Sequence, residues 1–392
     1  MKTQIILKLA HSCNFACKYC NYLNSMESKP GIMDLDLVEE VFKKCSDSNT
    51  NEEICFIFHG GEPLIVGLEY FRKMIVFQKK YLGEKKYINA IQTNGSMLSG
   101  DIIDFFKKNN FQLSISLDGP QEIHDSNRVF KNGLGTHEKI MENVRLLYNN
   151  GIGFSILAVY SELMKNSQDI YSFFNSIEGL RAVDFLAMNN VIKFQKKYGH
   201  FLVDIFDTWF NDPNCNFDIR ILNSMVKSLL KLGSTMCHFS KQCVLSANVI
   251  SIDPHGNVYP CDRELFNDFL LGNIKYEKID SLLKMHSVRK KFAMLQKNQN
   301  ESCKFCEWYL NCGGGCPSNY DDLKKQNAYC SDYKLLFQHI KTILNEKSLL
   351  DDFGKIVFDN IENIPNKSLV NRIKNAYYDR CNSKFGVCSE IV

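Results

Sequence analysis

The sequence lacks several features that mark whole classes of proteins. None of its apolar runs reaches the roughly 18 residues that a membrane-spanning helix needs. The short apolar run near the N-terminus is interrupted by Lys8 and is followed by no small-residue cleavage site. The 47 Lys and Arg residues nearly balance the 44 Asp and Glu residues, and a net charge of +3 is too small for a nucleic-acid or membrane surface. We therefore expect a cytoplasmic protein whose partners include neither nucleic acid nor membrane.

Cysteine, by contrast, is frequent. Sixteen of 392 residues, about 4%, are cysteine, which is below the content of a disulfide scaffold. A chain of this length also buries enough core to fold without such cross-links. Because cytosolic thiols stay reduced, clustered cysteines in such a chain indicate metal or redox chemistry.

Strand-like apolar runs alternate with amphipathic helical stretches through the first half. Six units of this kind in series predict an α/β fold with a parallel sheet, a partial (β/α)6 TIM-like barrel. In such barrels the loops after the strands carry the chemistry. The predicted strands span residues 4–9, 54–58, 87–92, 111–117, 154–159 and 182–187, and the predicted helices 35–44, 68–81, 101–108, 136–148 and 167–174.

The character of the sequence changes near residue 232, where cysteines become dense and predicted strands become short. Long helical patterns return from about residue 332. We predict a partial barrel over residues 1–232, a cysteine-rich domain over 233–345 and a helical C-terminal extension over 346–392.

The first cysteine cluster follows the first predicted strand. Cys13, Cys17 and Cys20 have the spacing C-x3-C-x2-C, and three thiols this close can converge on one inorganic centre. A zinc site normally needs a fourth protein ligand, and a [4Fe–4S] cluster usually takes four thiolates. Three cysteines would leave one iron open for a substrate or cofactor. Free thiols or a partial zinc knuckle are the alternatives.

With Tyr19 before the third cysteine, this motif resembles that of the radical S-adenosylmethionine (SAM) superfamily. The resemblance implies that the open iron binds the amino and carboxylate groups of SAM, and that reduction of the cluster releases a 5′-deoxyadenosyl radical. The segment FHGGEP at 58–63 resembles the GGEP motif of that family. It implies that Gly60, Gly61 and Glu62 contact SAM, although such a segment alone could be an ordinary Gly-Gly turn.

Three further segments follow predicted strands. The resemblance implies that Ser116 contacts the SAM ribose and Arg128 its carboxylate, for which the planar guanidinium is suited. A surface salt bridge is the alternative for Arg128, and His124 is expected to be structural. The segment QTNG at 92–95 would border the SAM pocket, although Asn-Gly is also a turn signal. The segment 188–190 is expected to flank the adenine.

A second group of cysteines could fill two four-thiolate clusters or two zinc ribbons. The spacing of the group, with GNVYPCD at 256–262 and LGNI at 271–274, resembles the SPASM domain of radical SAM peptide maturases. The resemblance implies one auxiliary [4Fe–4S] cluster on Cys237, Cys243, Cys261 and Cys316, and another on Cys303, Cys306, Cys312 and Cys330. The cofactors would then be SAM and three [4Fe–4S] clusters.

Asp262 directly follows one of these predicted ligands. In related maturases that oxidise Cys or Ser in a peptide, the matching Asp is the catalytic base, so the resemblance implies this role for Asp262. A structural Asp in a turn is the alternative. Outside the two groups, Cys45, Cys55 and Cys215 are expected to be buried as small apolar residues. Cys381 and Cys388 match no pattern.

The resemblance covers residues 4 to about 340. It implies a maturase that oxidises a precursor peptide or protein substrate and that uses an electron donor such as flavodoxin or ferredoxin. Sulfatase maturases typically carry Gln where this chain has His59. Together with the segments HS at 11–12 and CNY at 20–22, this departure resembles maturases that cross-link ribosomally made peptides and favours that function. The first alternative is an anaerobic sulfatase maturase that converts Cys or Ser to formylglycine. The second is a zinc-ribbon binding module without catalysis.

Overall fold

A computed structural model describes most of the chain. The described residues are 2–20, 31–48, 53–83, 85–187, 195–239, 249–262, 269–284, 288, 303–321, 326–352 and 354–382. Cys243, Cys388, the segment 188–190 and the side chain of Cys381 lie outside the described residues.

A ten-stranded sheet runs through the molecule. Its strands are β1 Lys2–Ala10, β2 Glu53–Gly60, β3 Lys86–Thr93, β4 Gln112–Ser116, β5 Phe154–Val159, β6 Leu180–Leu186, β7 Asp218–Ile219, β8 Val249–Ile252, β9 Asn257–Tyr259 and β10 Gly272–Asn273. They lie in the order β10-β9-β8-β1-β2-β3-β4-β5-β6-β7, and β1 to β7 are parallel neighbours. A separate hairpin pairs β11 Tyr320–Asp321 with β12 Gln326–Asn327. Together with the helices, this sheet confirms the predicted partial (β/α)6 barrel.

Helices follow the parallel strands as predicted. The α-helices are α1 Leu35–Asp47, α2 Leu68–Leu82, α3 Gly100–Lys108, α4 Gln121–Asn127, α5 His137–Asn149, α6 Ser167–Asn175, α7 Gln195–Asn211, α8 Arg220–Leu229, α9 Ile279–Leu283, α10 Tyr309–Cys312, α11 Cys330–Glu346 and α12 Lys367–Asn382. In α1, Val38, Val41, Phe42 and Cys45 are fully buried, the spacing of an amphipathic helix. Within the described ranges, no helix is long and apolar enough to cross a membrane.

The cysteine-rich part of the chain continues the barrel sheet. Strand β8 pairs in parallel with β1, with Leu7 level with Ile252, and β9 then pairs with β8 in the antiparallel sense. The chain after β9 therefore returns to the barrel close to β1, and it carries Cys261 and Asp262. The domain boundaries themselves stay predictions.

The C-terminal helix docks on the barrel. Asn366, just before α12, donates its side-chain amide to the Trp209 carbonyl at 2.7 Å. Within α12, an Arg372 amino group lies 3.5 Å from a carboxylate oxygen of Asp218. The helical extension is thereby fixed to the outer part of the barrel by polar groups that are largely buried.

Asp332 in α11 leads to a stability prediction. Its carboxylate accepts a hydrogen bond from the Gly199 amide at 2.6 Å, and burial raises its pKa from 3.8 to about 6. The folded chain therefore binds this proton more tightly than the unfolded chain. Asp332 stabilises the fold below about pH 4, and this contribution is lost as the pH rises through about 6.

Asp332→Asn keeps an amide oxygen for the Gly199 amide and removes the buried charge. At pH 8 the substitution is expected to raise the free energy of unfolding by up to about 3 kcal/mol, and at pH 4 by much less. Urea unfolding of the apo chain at both pH values measures the difference. An equal effect at the two pH values would show that burial of the charge is not the cause.

Candidate active site

The loop after β1, which carries the first cysteine cluster, is held by the end of β2. The Gly61 amide donates to the Ala10 carbonyl at 2.8 Å, and the Glu62 amide donates to the Ser12 carbonyl at 2.9 Å. A Cβ atom would lie 2.6 Å from the Ala10 oxygen at Gly60 and 2.2 Å from the Ser12 oxygen at Gly61. Only glycine permits this approach, so the Gly-Gly pair fixes the loop that presents the thiols.

The three thiols of this loop lie close enough to act on one another. Cys13 is buried, and Cys17 and Cys20 are half-buried. Burial raises the pKa of Cys13, and the Cys20 thiol adds to this shift. Burial also raises the pKa of Cys17 to about 11; the Cys13 and Cys20 thiols add to this shift, whereas the Arg128 cation opposes it. Because the thiolate is the metal ligand, iron binding here must release protons.

The segment QTNG at 92–95, at the end of β3, forms a turn and also contacts the cysteine loop. The Asn94 side-chain amide donates to Asn14 at 2.8 Å and lies 3.7 Å from the Cys13 sulfur. Asn14 in turn donates to the Ser96 hydroxyl at 2.9 Å. The turn at Gly95, with a φ of +78°, thus places a polar group directly against a predicted iron ligand.

Glu62 connects the ends of β2 and β3. Its buried carboxylate accepts hydrogen bonds from the Leu64 amide at 2.9 Å, the Thr93 hydroxyl at 2.7 Å and the Asn94 amide at 2.7 Å. Burial raises its pKa to about 7, against the effect of these donors. A cation bound nearby would favour the ionised form. Its predicted contact with the SAM amino group fits this environment and stays a prediction.

Arg128 lies in a buried ion pair, so the alternative of a surface salt bridge does not hold. Its Nε atom lies 3.0 Å from the fully buried Asp118 carboxylate, and its guanidinium lies 5.2 Å from the centre of the Tyr19 ring. The Tyr19 hydroxyl donates to the same Asp118 oxygen. The other Asp118 oxygen accepts from the Val159 amide at 2.9 Å. The four groups form one connected polar cluster beside the cysteine loop.

Ser116 and His124 lie near this cluster. Ser116, at the end of β4, accepts a hydrogen bond from the Gln92 side chain at 3.1 Å. His124 accepts from the Asp118 amide at 3.2 Å, and its other ring nitrogen lies 2.9 Å from the Thr136 hydroxyl. Burial lowers the His124 pKa to about 2, so the ring is neutral and serves the structural role predicted for it.

Arg128→Lys tests the predicted SAM contact. Lysine keeps the positive charge opposite Asp118 but not the planar fork. Loss of one charged hydrogen bond is expected to weaken SAM binding about tenfold to a hundredfold. Equilibrium dialysis of SAM with the reconstituted protein measures this, with Arg145→Lys on the exposed face of α5 as the control. An unchanged dissociation constant would remove Arg128 from the SAM site.

The predicted second auxiliary site is brought together by the fold. One cavity is lined by Cys303, Cys306, Cys312 and Cys330, with Trp308 among the apolar residues around them. Burial raises the pKa of Cys312 to about 12. Four thiols around one apolar cavity fit a [4Fe–4S] cluster. Within the ranges that the structure describes, no group of three or more His, Cys, Asp or Glu side chains is arranged to hold a single metal ion.

The predicted first auxiliary site is only partly described. Cys237 lies in a 3-10 turn, Cys261 follows β9, and the buried Cys316 sulfur lies 2.9 Å from the Ser318 hydroxyl. The fourth member, Cys243, lies outside the described residues. This ligand set stays a prediction. The unrelated cysteines Cys45, Cys55 and Cys215 are buried, as predicted.

Sequence reasoning missed Lys8 as a functional candidate. The residue is buried, and its ammonium group forms an ion pair with the Asp262 carboxylate. The signal that could have found it is a lysine in the middle of the apolar strand QIILKLA. The sequence likewise gave no sign of the role of Asp118, which the fold places at the centre of the Arg128 cluster.

Comparison with known families matches both parts of the chain. The model of the radical SAM superfamily matches residues 7–172, and the model of the iron-sulfur cluster-binding domain SPASM matches residues 243–307. The cysteine-type anaerobic sulfatase-maturating enzyme of Clostridium novyi is 34% identical over 361 residues, 86% of this chain and 94% of that protein. This chain belongs to the anaerobic sulfatase-maturating enzyme family. The serine-type enzyme of Bacteroides thetaiotaomicron is 30% identical, over 84% of this chain and 86% of that protein.

Solved structures of this family have the same fold. Native anSMEcpe with bound AdoMet superposes with a TM-score of 0.80 at 28% identity, over 88% of this chain and 99% of that chain. A structure of anSMEcpe with AdoMet and the Kp18Cys peptide gives a TM-score of 0.77 at 27% identity, over 88% and 99%. This family member is therefore a radical SAM enzyme that uses SAM and [4Fe–4S] clusters and acts on a peptide or protein substrate.

The main functional hypothesis from the sequence, a maturase that cross-links ribosomally made peptides, is wrong. The relatives at 34% and 30% identity are sulfatase-maturating enzymes of the cysteine and serine types. Family membership equally sets aside the zinc-ribbon module. The environment of His59 is local: the residue is half-buried, and its Nδ1 atom accepts a hydrogen bond from the Gly60 amide at 2.7 Å. Such a residue does not specify which bond the enzyme forms.

Proposed function

We propose that this enzyme is an anaerobic sulfatase maturase that converts a Cys or Ser residue of a sulfatase to formylglycine. Its family membership supports the proposal. The observation that carries it is the position of Asp262. Strands β8 and β9 bring this carboxylate from the cysteine-rich part of the chain to Lys8 inside the barrel, beside His59, which precedes the Gly-Gly pair. In this proposal the Asp262 carboxylate is the proton acceptor, and its place beside the predicted SAM site supports that role.

The reaction removes two hydrogens from the substrate side chain. One leaves as a hydrogen atom and the other as a proton, and one electron remains to be taken up. When bound, SAM and the clusters supply the one-electron chemistry that these changes require. Asp262 accepts the proton. A serine then gives the aldehyde directly, whereas a cysteine gives a thioaldehyde that water hydrolyses with loss of hydrogen sulfide.

The remaining site residues bind and orient the reactants. Tyr19, Gly60, Gly61, Ser116 and Arg128 line the SAM site in this proposal, and the connected cluster at Arg128 holds the guanidinium toward the cysteine loop. Electrons come from a small carrier such as flavodoxin or ferredoxin. The enzyme works in the cytoplasm, where thiols stay reduced and available for iron.

Mass spectrometry of matched peptides tests the function. The reconstituted enzyme is incubated without oxygen with three versions of a sulfatase active-site peptide, which carry Cys, Ser or Ala at the modified position. We expect one aldehyde product from the Cys or Ser peptide, trapped by a hydrazide reagent, and no change in the Ala peptide. Loss of two hydrogens without a trappable aldehyde would indicate a cross-link and would contradict the proposal.

A further inference from the structure

The position of Lys8 inside the barrel follows from strand register. Phe56 of β2 packs against Phe42 of α1, with ring centres 5.0 Å apart, and Ile5 of β1 is level with Phe56. That face of the two strands therefore carries the helices. Because side chains alternate along a strand, Lys8 and its register partner His59 point to the opposite face, the barrel interior.

Three groups meet at this place. Lys8 forms an ion pair with Asp262, whose side chain is one-third exposed at 34% while that of Lys8 is 2% exposed. Burial lowers the His59 pKa to about 4, with the Lys8 cation adding to the effect and the Asp262 anion opposing it. His59 is therefore neutral at physiological pH. The charges beside its ring are the Lys8 ammonium group and the Asp262 carboxylate. The first belongs to the barrel strand β1, and the second belongs to the cysteine-rich part of the chain.

Stability does not explain a lysine at this position. A buried ion pair is commonly no more stabilising than apolar residues of the same size, because both charges lose their hydration. The neighbours of Lys8 on the same face of β1, Ile6 and Ala10, are buried apolar residues, so an apolar residue would suit this position as well. The lysine instead fixes the position of a carboxylate, since a buried ammonium group requires its charged partner to stay next to it. The partner, Asp262, follows β9 and is not part of any parallel strand of the barrel.

We propose that Lys8 is a positioning residue, which holds the Asp262 carboxylate at the carboxyl end of the barrel where it faces the substrate. This inference rests on the proposed function, in which Asp262 accepts the proton. SAM binding and hydrogen-atom abstraction precede that proton transfer and do not involve Lys8. Loss of the Lys8 ammonium group should therefore impair proton transfer and leave hydrogen-atom abstraction intact.

The experiment compares two products in the same assay. Lys8→Met is incubated with SAM, reductant and a Cys peptide deuterated at Cβ. We expect 5′-deoxyadenosine and its deuterium content to stay within about threefold of the wild type, while the aldehyde product falls about a hundredfold, the scale of a lost general base. Lys8→Arg, which keeps the cation, should restore part of the aldehyde. Iron content and cluster absorption check that each variant is loaded.

Lys85 offers a matched control. It is a partly buried lysine whose ammonium group donates to the carbonyls of Cys45, Ser46 and Ser48 at 2.7, 2.8 and 3.0 Å. Lys85→Met should lower stability and leave the ratio of 5′-deoxyadenosine to aldehyde unchanged. A parallel loss of both products in Lys8→Met and Lys8→Arg would mean that Lys8 serves the fold or the SAM site, and an unchanged ratio would equally overturn the proposal.

A second measurement needs neither cluster nor substrate. Thermal unfolding of the apo chain is compared for Lys8→Met, Asp262→Asn and the double variant. If the pair exists, the midpoint of the double variant should lie above the value expected from the two single shifts. Additive shifts would contradict the pairing itself. A wild type that transfers deuterium but forms no aldehyde would instead defeat the proposed function, so the two failures are distinguishable.

Discussion

Replacement of Cys13, Cys17 and Cys20 together with Ala is expected to abolish cleavage of SAM to 5′-deoxyadenosine. The wild type should bind about twelve irons per chain after anaerobic reconstitution, four for each cluster, and the triple variant about eight. The remaining irons belong to the auxiliary sites, where Cys303, Cys306, Cys312 and Cys330 line their own cavity. The chain should therefore stay brown but lose the first step of the reaction. Iron and sulfide analysis and chromatography of the nucleoside products measure the two effects.

Cys45→Ala is the control for this variant. Cys45 is fully buried on the apolar face of α1 and belongs to neither predicted group of iron ligands. Its replacement should cost some stability by leaving a small cavity and leave both iron content and SAM cleavage intact. SAM cleavage at the wild-type rate in the triple variant would remove the first cysteine cluster from the reaction.

Gly61→Ala is expected to have an effect nearly as large, although the residue has no functional group. An added Cβ atom would lie 2.2 Å from the Ser12 carbonyl oxygen, so the strand end and the cysteine loop cannot keep their present separation. The hydrogen bond from the Glu62 amide to Ser12 should be lost with it. We expect at least a hundredfold loss of SAM cleavage, since small displacements of reacting groups have effects of this order.

Gly100→Ala is the matched control, because nothing lies within 4 Å of a Cβ atom at that position and alanine favours the helix that Gly100 begins. It should leave SAM cleavage unchanged and raise stability slightly. The iron content of Gly61→Ala locates the damage. If the variant binds fewer than about twelve irons but keeps the absorption of the auxiliary clusters, the damage lies at the first cluster. Wild-type cleavage in Gly61→Ala would show that the close approach has no functional role.

The order of elements in the barrel could be predicted from the sequence because each strand and helix has its own period of apolar residues. All six predicted strands are present, with ends that differ by only a few residues; the sixth, for instance, is Leu180–Leu186 rather than 182–187. The pairing of β8 with β1 was not predictable in this way. It joins segments that are far apart in sequence, and β8 is only four residues long.

The reaction class could be recognised from the motifs, but the particular reaction could not. The cysteine spacing and the Gly-Gly segment belong to chemistry that many maturases share. His59 and the segments at 11–12 and 20–22 favoured a cross-link, but the His59 ring accepts a hydrogen bond from the adjacent Gly60 amide. Similarity over most of the chain, rather than single residues, overturns the cross-link and supports the proposal of formylglycine.

By itself, then, the sequence determined the barrel and the class of chemistry, and it predicted which thiols would bind iron, because alternation and ligand spacing are local properties of a chain. Tertiary structure alone decided that Lys8 meets Asp262, that Asp118 joins Arg128 to Tyr19 and that Asn94 reaches Cys13. Except for the pair of Asp118 with Arg128, these contacts join residues that lie far apart in the chain. They form because buried charges and polar groups must find partners in three dimensions, and sequence spacing does not encode which partner lies near.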